Sequence, residues 1–184
     1  MKIEKVIVGL IETNCYILSK NNHVLIIDPG DEFDKINSKI DNYIVDGIII
    51  THYHFDHIGA LKELKNKYQT KVYDYSNLNE GVNNIGDFTF NVLYTPGHKE
   101  DLITIIFNEE KVMFVGDFIF KNSIGRTDLP GGNMNEMIKS INKIKEYSDD
   151  FIIYPGHGPS TTLNDEKRYN PFFNEQKSNK FDCI

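Results

Sequence analysis

The segment Thr51-His52-Tyr53-His54-Phe55-Asp56-His57 places four potential metal ligands within seven residues. It follows the apolar run Ile48-Ile49-Ile50. If that run is a strand that continues extended, His52 and His54, two residues apart, leave the same face and can grip one ion. Asp56 and His57 are neighbours, so an extended chain would aim them in opposite directions; for both to serve one site the backbone must turn. Ile58, Leu61, Leu64 and Tyr68 then recur at helical spacing. This predicts a helix over Asp56 to Tyr68, with Asp56 a favourable residue to begin it. The segment reads as strand, ligand-bearing turn, helix.

A histidine pair two residues apart is more often a surface feature than a ligand set, and Asp56 alone could be no more than a helix cap. The placement of the other histidines decides between the readings. Of six (His23, His52, His54, His57, His98 and His157), only His23 falls outside a turn flanked by Gly, Pro or Asp. His98 ends Thr95-Pro96-Gly97-His98, and His157 sits in Tyr154-Pro155-Gly156-His157-Gly158. Gly116-Asp117 makes a similar break after Lys111 to Val115.

Five imidazoles and two carboxylates are too many for one tetrahedral ion, and a structural zinc site closes itself with four protein ligands. Two divalent cations are the economical solution. His52, His54 and His98 could hold one, and Asp56, His57 and His157 the other, with Asp117 bridging them. Histidine and aspartate accept zinc, iron or manganese, zinc being the first expectation. A water shared by two cations loses its proton near neutral pH, because a single zinc already lowers the water pKa to about 7. The resulting metal-bridged hydroxide needs no protein nucleophile, so hydrolysis is the natural reaction class.

The elements that must position these ligands follow from pattern and punctuation. Lys2 to Val8, Thr13 to Ser19 and His23 to Asp28 read as strands, the third halted by Asp28-Pro29-Gly30. Asp28 is either a turn carboxylate or an acceptor that steadies a ligating imidazole. A helix is expected over Phe33 to Ile40. Strands are expected at Lys71 to Asp74 and Phe88 to Tyr94, with a polar connection from Asn77 to Asn84 between them. Leu102 to Phe107 and Lys111 to Val115 suggest a hairpin whose second strand delivers Asp117. Phe118 to Gly132 reads as a loop near the site. Asn133 and Glu136 look like a capping box for a helix with Met134, Met137, Ile138, Ile141 and Ile144 on its core face. Phe151 to Tyr154 is a last strand, and in the polar tail from Asp165 to Ile184 only Pro171-Phe172-Phe173 is expected to dock. Four of the strands end at a potential ligand, which places the chemistry along one edge of a layered sheet structure.

Hydrophobic residues make up 40% and charged residues 26% of the 184 residues, ordinary values for a soluble chain expected to form one domain over 1–184. The formal net charge of −7 argues against nucleic acid or an anionic membrane as partner. Lys2, Glu4 and Lys5 interrupt the apolar residues at the amino terminus, so neither a signal peptide nor a membrane span is indicated. The expectation is a cytoplasmic protein acting on a small-molecule substrate. Cys15 and Cys183 form no Cys-x-x-Cys pair, which indicates neither a zinc ribbon nor a dithiol centre. Cys15 reads as a strand residue and Cys183 as incidental.

The series His52-x-His54-x-Asp56-His57, His98, Asp117, His157, with Thr13-Asn14-Cys15-Tyr16 and Asp28-Pro29-Gly30 ahead of it, resembles the metallo-beta-lactamase superfamily over most of the chain. The resemblance implies a four-layer αββα sandwich of the α/β class with a dinuclear site at one edge. It assigns His52, His54 and His98 to the first metal, Asp56, His57 and His157 to the second, and Asp117 to both, with Asp56 also orienting the hydroxide. Asp117 followed by Ser123-Ile124-Gly125-Arg126-Thr127-Asp128-Leu129-Pro130-Gly131-Gly132 is most similar to the glyoxalase II-like hydrolases, which implies cleavage of a thioester of the hydroxyacylglutathione type. Arg126 and Asp128 would shape the substrate mouth, or else pair with each other within the loop. Full glyoxalase II enzymes carry a helical carboxyl-terminal domain that grips glutathione, whereas only a short tail follows His157 here. Two rivals remain. One is a persulfide dioxygenase of the same superfamily, with one iron on His52 or His54, His98 and Asp117. The other is a metal-dependent binding protein without catalysis. A beta-lactamase is disfavoured because export is not indicated and those enzymes generally lack a bridging aspartate at the Asp117 position; a nuclease lacks an evident basic surface.

Overall fold

Strand β2 (Thr13–Lys20) turns Cys15 and Ile17 to one side of its sheet and Tyr16 and Leu18 to the other. β3 (His23–Ile27) does the same with Val24 and Ile26 against Leu25 and Ile27. This period-2 alternation, apolar on both faces, is what a sheet covered on both sides requires. A computed structural model of the chain describes residues 1–174. Cys183 and the end of the predicted tail lie outside the described residues.

The first sheet runs in the order β1 (Lys2–Val8), β2, β3, β4 (Ile44–Ile49) and β5 (Val72–Tyr73), antiparallel through β3 and parallel beyond. The second contains β6 (Gly81–Ile85), β7 (Phe88–Tyr94), β8 (Ile103–Phe107), β9 (Val112–Gly116), β12 (Ile152–Pro155) and β13 (Thr161–Thr162), with only the β9–β12 pair parallel. One core fills the space between the sheets, where Tyr16, Leu18, Leu25, Ile27 and Ile49 meet Phe88, Phe90, Ile103, Ile105 and Phe114. A second core covers the outer face of the first sheet with α1 (Phe33–Ile40) and α2 (Leu61–Tyr68), through Ile36, Ile40 and Leu64. A third covers the other sheet with α3 (Met134–Lys145), α4 (Leu163–Tyr169) and α5 (Pro171–Asn174), through Met137, Ile141, Ile144, Leu163 and Phe173. The molecule is the four-layer αββα sandwich that the resemblance implies. No described helix is long and apolar enough to cross a membrane.

Several expectations are corrected. The helix predicted from Asp56 splits into a 3-10 turn at Phe55–His57 and α2, which starts at Leu61 after the N-cap Ala60. The break follows from packing against the loop after β3: the Gly59 and Ala60 N–H groups donate to Gly30 and Pro29, and a Cβ on Gly30 would lie 1.9 Å from the Asp56 carbonyl oxygen. Asn77 to Asn84 is not all connection, since β6 begins at Gly81. As an edge strand it buries only Ile85 completely, so its sequence carries no apolar alternation. The loop Phe118 to Gly132 contains a small hairpin, β10 (Ile119–Phe120) with β11 (Ser123–Ile124). Asn133 caps α3 by accepting from Asn135 and Glu136, but the reciprocal half of the box is not made. The Asn133 N–H donates to Gly97, and the Glu136 carboxylate pairs with Lys139. Met137 is core; Met134, at the exposed helix start, is not. The tail forms α4 and α5, and Phe173 docks as expected.

His23, the histidine outside the turns, donates its Nδ1–H at 2.7 Å to Asp46 of β4, whose other oxygen accepts from the Asp87 N–H at the β6–β7 turn. Asp46 therefore joins the two sheets. The hydrogen bond to Asp46 raises the His23 pKa above its ordinary value of 6.5. Because the folded-state value is the higher one, this pair's stabilisation is fully present below the unfolded pKa and is lost as pH rises through the folded pKa. His23→Gln should therefore lower the thermal midpoint relative to the parent near pH 5.5 and leave it nearly unchanged near pH 9, as read by a calorimetric pH series. A deficit of constant size across the series would contradict the linkage.

Candidate metal centre

Each donor stands just beyond an element of the sandwich. His52 and His54 follow β4, Asp56 and His57 form the 3-10 turn, His98 follows β7, Asp117 follows β9 and His157 follows β12. The structure brings all seven together at one end. The ligand atoms of His52, His54, His98 and Asp117 lie within 4.8 Å of one another, as do those of Asp56, His57 and His157. His54 Nδ1 is 3.0 Å from His52 Nε2 and 2.9 Å from His98 Nε2. Asp56 Oδ2 is 3.3 Å from His57 Nε2 and 3.1 Å from His157 Nε2. Asp117 spans the groups, with Oδ1 3.4 Å from His57 Nε2 and Oδ2 3.6 Å from both His98 Nε2 and His157 Nε2.

The outer nitrogens fix which way the lone pairs face. His57 Nδ1–H donates to Asp28 Oδ2 at 3.0 Å, His98 Nδ1–H to the Arg126 carbonyl at 2.8 Å, and His157 Nδ1–H to the Ile11 carbonyl at 3.1 Å. Thr51 gives its hydroxyl hydrogen to Asp28 Oδ2, which leaves its oxygen to accept from His52 Nδ1 at 3.1 Å. Acceptors that can only accept compel these imidazoles to donate outward, so in their neutral forms Nε2 presents a lone pair inward. One proton on His54 Nδ1 can satisfy His52 or His98 well, but not both.

His57 Nε2 and Asp117 Oδ1 are buried without a hydrogen-bond partner, and they face each other. Their approach lacks the alignment of a hydrogen bond, and an unsatisfied buried group costs about 1–3 kcal/mol. A cation answers both. Two donors about 2.0–2.1 Å from a tetrahedral zinc stand about 3.3 Å apart, close to the separations found here. The residues fit two divalent cations.

Protons respond to the same field. Burial pushes the His57 pKa down, but the carboxylates of Asp28 and Asp117 more than reverse it and hold it up at about 10. Hydrogen bonds to Asp117 and Asp56 raise His157 to about 10. Asp56 is driven upward by burial, yet His157, His57 and Thr13 bring it down to about 2. His52, buried and beside the other imidazoles, falls well below the usual histidine range. His57 and His157 favour positive charge, whereas His52 and His54 are pushed toward the neutral form that can ligate.

Residues that sequence reasoning left as ordinary strand positions brace the site. Thr13 Oγ1 donates to Asp56 Oδ2 at 2.9 Å. Asn14 Nδ2 donates to the Pro155 and Gly158 carbonyls, Tyr16 donates its hydroxyl to Pro155 at 2.7 Å, and the Asn14 N–H donates to Gly156. The signal was a polar Thr-Asn pair opening an otherwise apolar strand. Asp28 proves to be the imidazole acceptor rather than a mere turn residue, and it also accepts from the Thr51 N–H. Gly156 is required by closeness: a Cβ there would sit 2.2 Å from Asp117 Oδ1.

Arg126 and Asp128 form a two-point ion pair with each other, at 2.9 and 2.8 Å, on exposed loop. Asp128 is held near a pKa of about 2 by that guanidinium. Arg126 also lines a cavity of about 520 Å³ that opens on His98, Asp117 and His157 and is walled by Phe120, Lys121 and Pro159; Asp128 does not line it.

A family model described as the metallo-beta-lactamase superfamily matches residues 8–78 and 74–157. Hydroxyacylglutathione hydrolase GloC of Haemophilus influenzae is 32% identical, covering 96% of this chain and 100% of its own. Among solved structures, BLEG-1 B3 metallo-beta-lactamase superposes with a TM-score of 0.88 at 32% identity, covering 94% of this chain and 99% of its own. TTHA1623 in a di-iron-bound form superposes with a TM-score of 0.84 at 31% identity, covering 92% and 99%.

Asp28→Asn tests the tautomer argument without removing a ligand. An amide facing His57 Nδ1 turns that nitrogen into an acceptor and puts the proton on Nε2, where the metal should bind. Chelator competition should show affinity at one of two sites weakened by about 10–100-fold, the other site little changed. Equal affinities for the parent and the variant would refute the role of Asp28.

Proposed function

We propose that this chain, which belongs to the metallo-beta-lactamase superfamily, is a dinuclear, glyoxalase II-like metallohydrolase that cleaves thioesters. The observation that carries the hydrolase reading is the facing pair of unsatisfied buried atoms, His57 Nε2 and Asp117 Oδ1, within the cluster of converging histidines and aspartates. His52, His54 and His98 would hold one cation, Asp56, His57 and His157 the other, and Asp117 both. Divalent cations there would supply Lewis acidity, lowering the pKa of a water and polarising an acyl carbonyl.

The chain's own residues do the rest. Thr13 pins Asp56 Oδ2, and the low pKa of about 2 keeps that carboxylate ionised, able to orient an attacking water. Phe120 and Pro159 give the cavity apolar walls that limit bulk water, while Lys121 places positive charge where an anionic thiol portion would lie; Arg126 lines the same cavity with its charge paired to Asp128. The thioester assignment rests on the likeness to the Haemophilus hydrolase together with this cavity. Zinc is the first choice of metal; the likeness to a di-iron-bound protein makes iron the second.

The test is turnover by purified protein loaded separately with zinc, iron and manganese, with elemental analysis. S-lactoylglutathione and simpler acyl thioesters should be hydrolysed without oxygen by protein holding two ions per chain, and His54→Ala should lower kcat/KM by about 100-fold or more. A beta-lactam cleaved faster than every thioester would replace the substrate, a reading that the likeness to a B3 enzyme makes worth including. Oxygen uptake with glutathione persulfide on a single iron would replace the reaction.

A further inference from the structure

We propose that Glu166 of α4 is a positioning residue that ties together the two walls of the cavity beside the metal ligands, and so sets the affinity for substrate. This rests on the reading of that cavity as the substrate site. The Glu166 side chain is 0% exposed, yet no cation faces it in a salt bridge among the described residues. Its Oε1 accepts the Thr161 hydroxyl at 2.6 Å; its Oε2 accepts the Asn122 backbone N–H at 3.0 Å and the Asn170 side-chain amide at 2.7 Å. Asn170, likewise 0% exposed, uses the same side-chain nitrogen to donate to the Ser123 carbonyl at 2.9 Å.

These partners belong to different walls. Asn122 is at the tip of the β10–β11 hairpin, in left-handed backbone with φ of 60°, and lines the cavity with Phe120 and Lys121. Thr161 closes the segment that begins at His157 and carries Pro159 past the cavity into β13. One carboxylate therefore fixes the distance between the hairpin wall and the His157 wall. Packing alone does not call for it, because Leu163 and Phe173 supply the apolar contact of α4 and α5 with the core, and a buried carboxylate is costly unless several donors satisfy it.

Most ligands are braced from elsewhere, and the Arg126 carbonyl that holds His98 follows Gly125, whose own N–H is tied to Phe118 rather than to Glu166. His157 is held by the Ile11 carbonyl and by its bridge to Thr13, and Gly156 by Asn14. Loss of Glu166 should thus loosen the cavity and leave the metals in place. Glutamine should rescue it. Its carbonyl oxygen can take the two donors at Oε2, and its amide can face Thr161, whose hydroxyl turns from donor to acceptor.

The experiment compares parent, Glu166→Gln and Glu166→Ala, each zinc-loaded, by metal content and by S-lactoylglutathione kinetics. Glu166→Ala should raise KM by about 10-fold, with kcat within about 3-fold and metal content unchanged, and Glu166→Gln should stay within about 3-fold of the parent in both constants. In the parent, the Asn122 amide should exchange with solvent at least about 100-fold more slowly than an unprotected amide. That measurement needs neither turnover nor a folded alanine variant. Free exchange at Asn122 overturns the proposal, as does metal loss in Glu166→Ala or a glutamine variant as impaired as alanine. If the parent cleaves no thioester, the functional reading fails, and the Asn122 exchange still decides whether Glu166 anchors the hairpin.

Discussion

Seven groups able to ligate a metal are gathered at one end of this sandwich with their nitrogens and oxygens at close range, and the surrounding chain is arranged to keep them there. His52 and His98 both aim Nε2 at His54 Nδ1 from about a hydrogen-bond length, and His57 Nε2 faces a carboxylate oxygen with nothing between them. Left to itself such a cluster would relax by rotating imidazoles. It does not, because the outer nitrogens are engaged: Asp28, Thr51 and the carbonyls of Arg126 and Ile11 each accept a hydrogen bond from a ring N–H. Outward donation and inward lone pair are two sides of one constraint, and the proposed cations are its resolution.

The sandwich can impose that constraint because strand ends of its two sheets meet at the site. The start of β2 lies in the first sheet, yet Asn14 and Tyr16 bond the end of β12 in the second. The turn after β4 reaches across to the second sheet in the same way, the Ile103 N–H donating to Thr51. Between these crossings the aromatic residues Tyr16, Phe114 and Tyr154 pack ring against ring, so the end of the middle core is stiff where the ligands leave it. Rigid strands deliver the donors, and short loops aim them.

How much of this was legible in the sequence depended on whether a residue's partners were local. The ligand turn, the strand ends and the apolar helix faces were readable, because spacing of two or of three and four is a property of a single segment. The convergence of donors from five elements could be inferred from their common position at strand ends. The braces could not: Thr13, Asn14 and Thr51 look like ordinary polar residues until chain 43, 141 and 23 residues away comes beside them. Asp28 had two equal readings because only the fold sets it against His57. β6 was missed because an edge strand with one fully buried side chain has no pattern to display. Asp56 was read as a helix start because a carboxylate suits both an N-cap and a metal, and the contacts that break the helix, from the Gly59 and Ala60 N–H groups to Gly30 and Pro29, come from a distant loop.

The braces divide by the direction from which they come. Asp56, His57 and His157 are held from the amino-terminal side, by the β1–β2 hairpin and the Asp28 loop. The cavity wall opposite them is held from the carboxyl-terminal side, by Glu166 and Asn170. The two sets meet at His98, whose ring is held by the Arg126 carbonyl of the cavity wall, so a change in α4 acts on the cavity first and reaches the imidazoles only through that contact. A scaffold built in this way keeps its hydrolytic centre while the substrate varies, which is how one fold comes to serve many reactions. In this chain the ring nitrogens govern whether chemistry is possible, and a buried carboxylate far along the sequence governs what is brought to them.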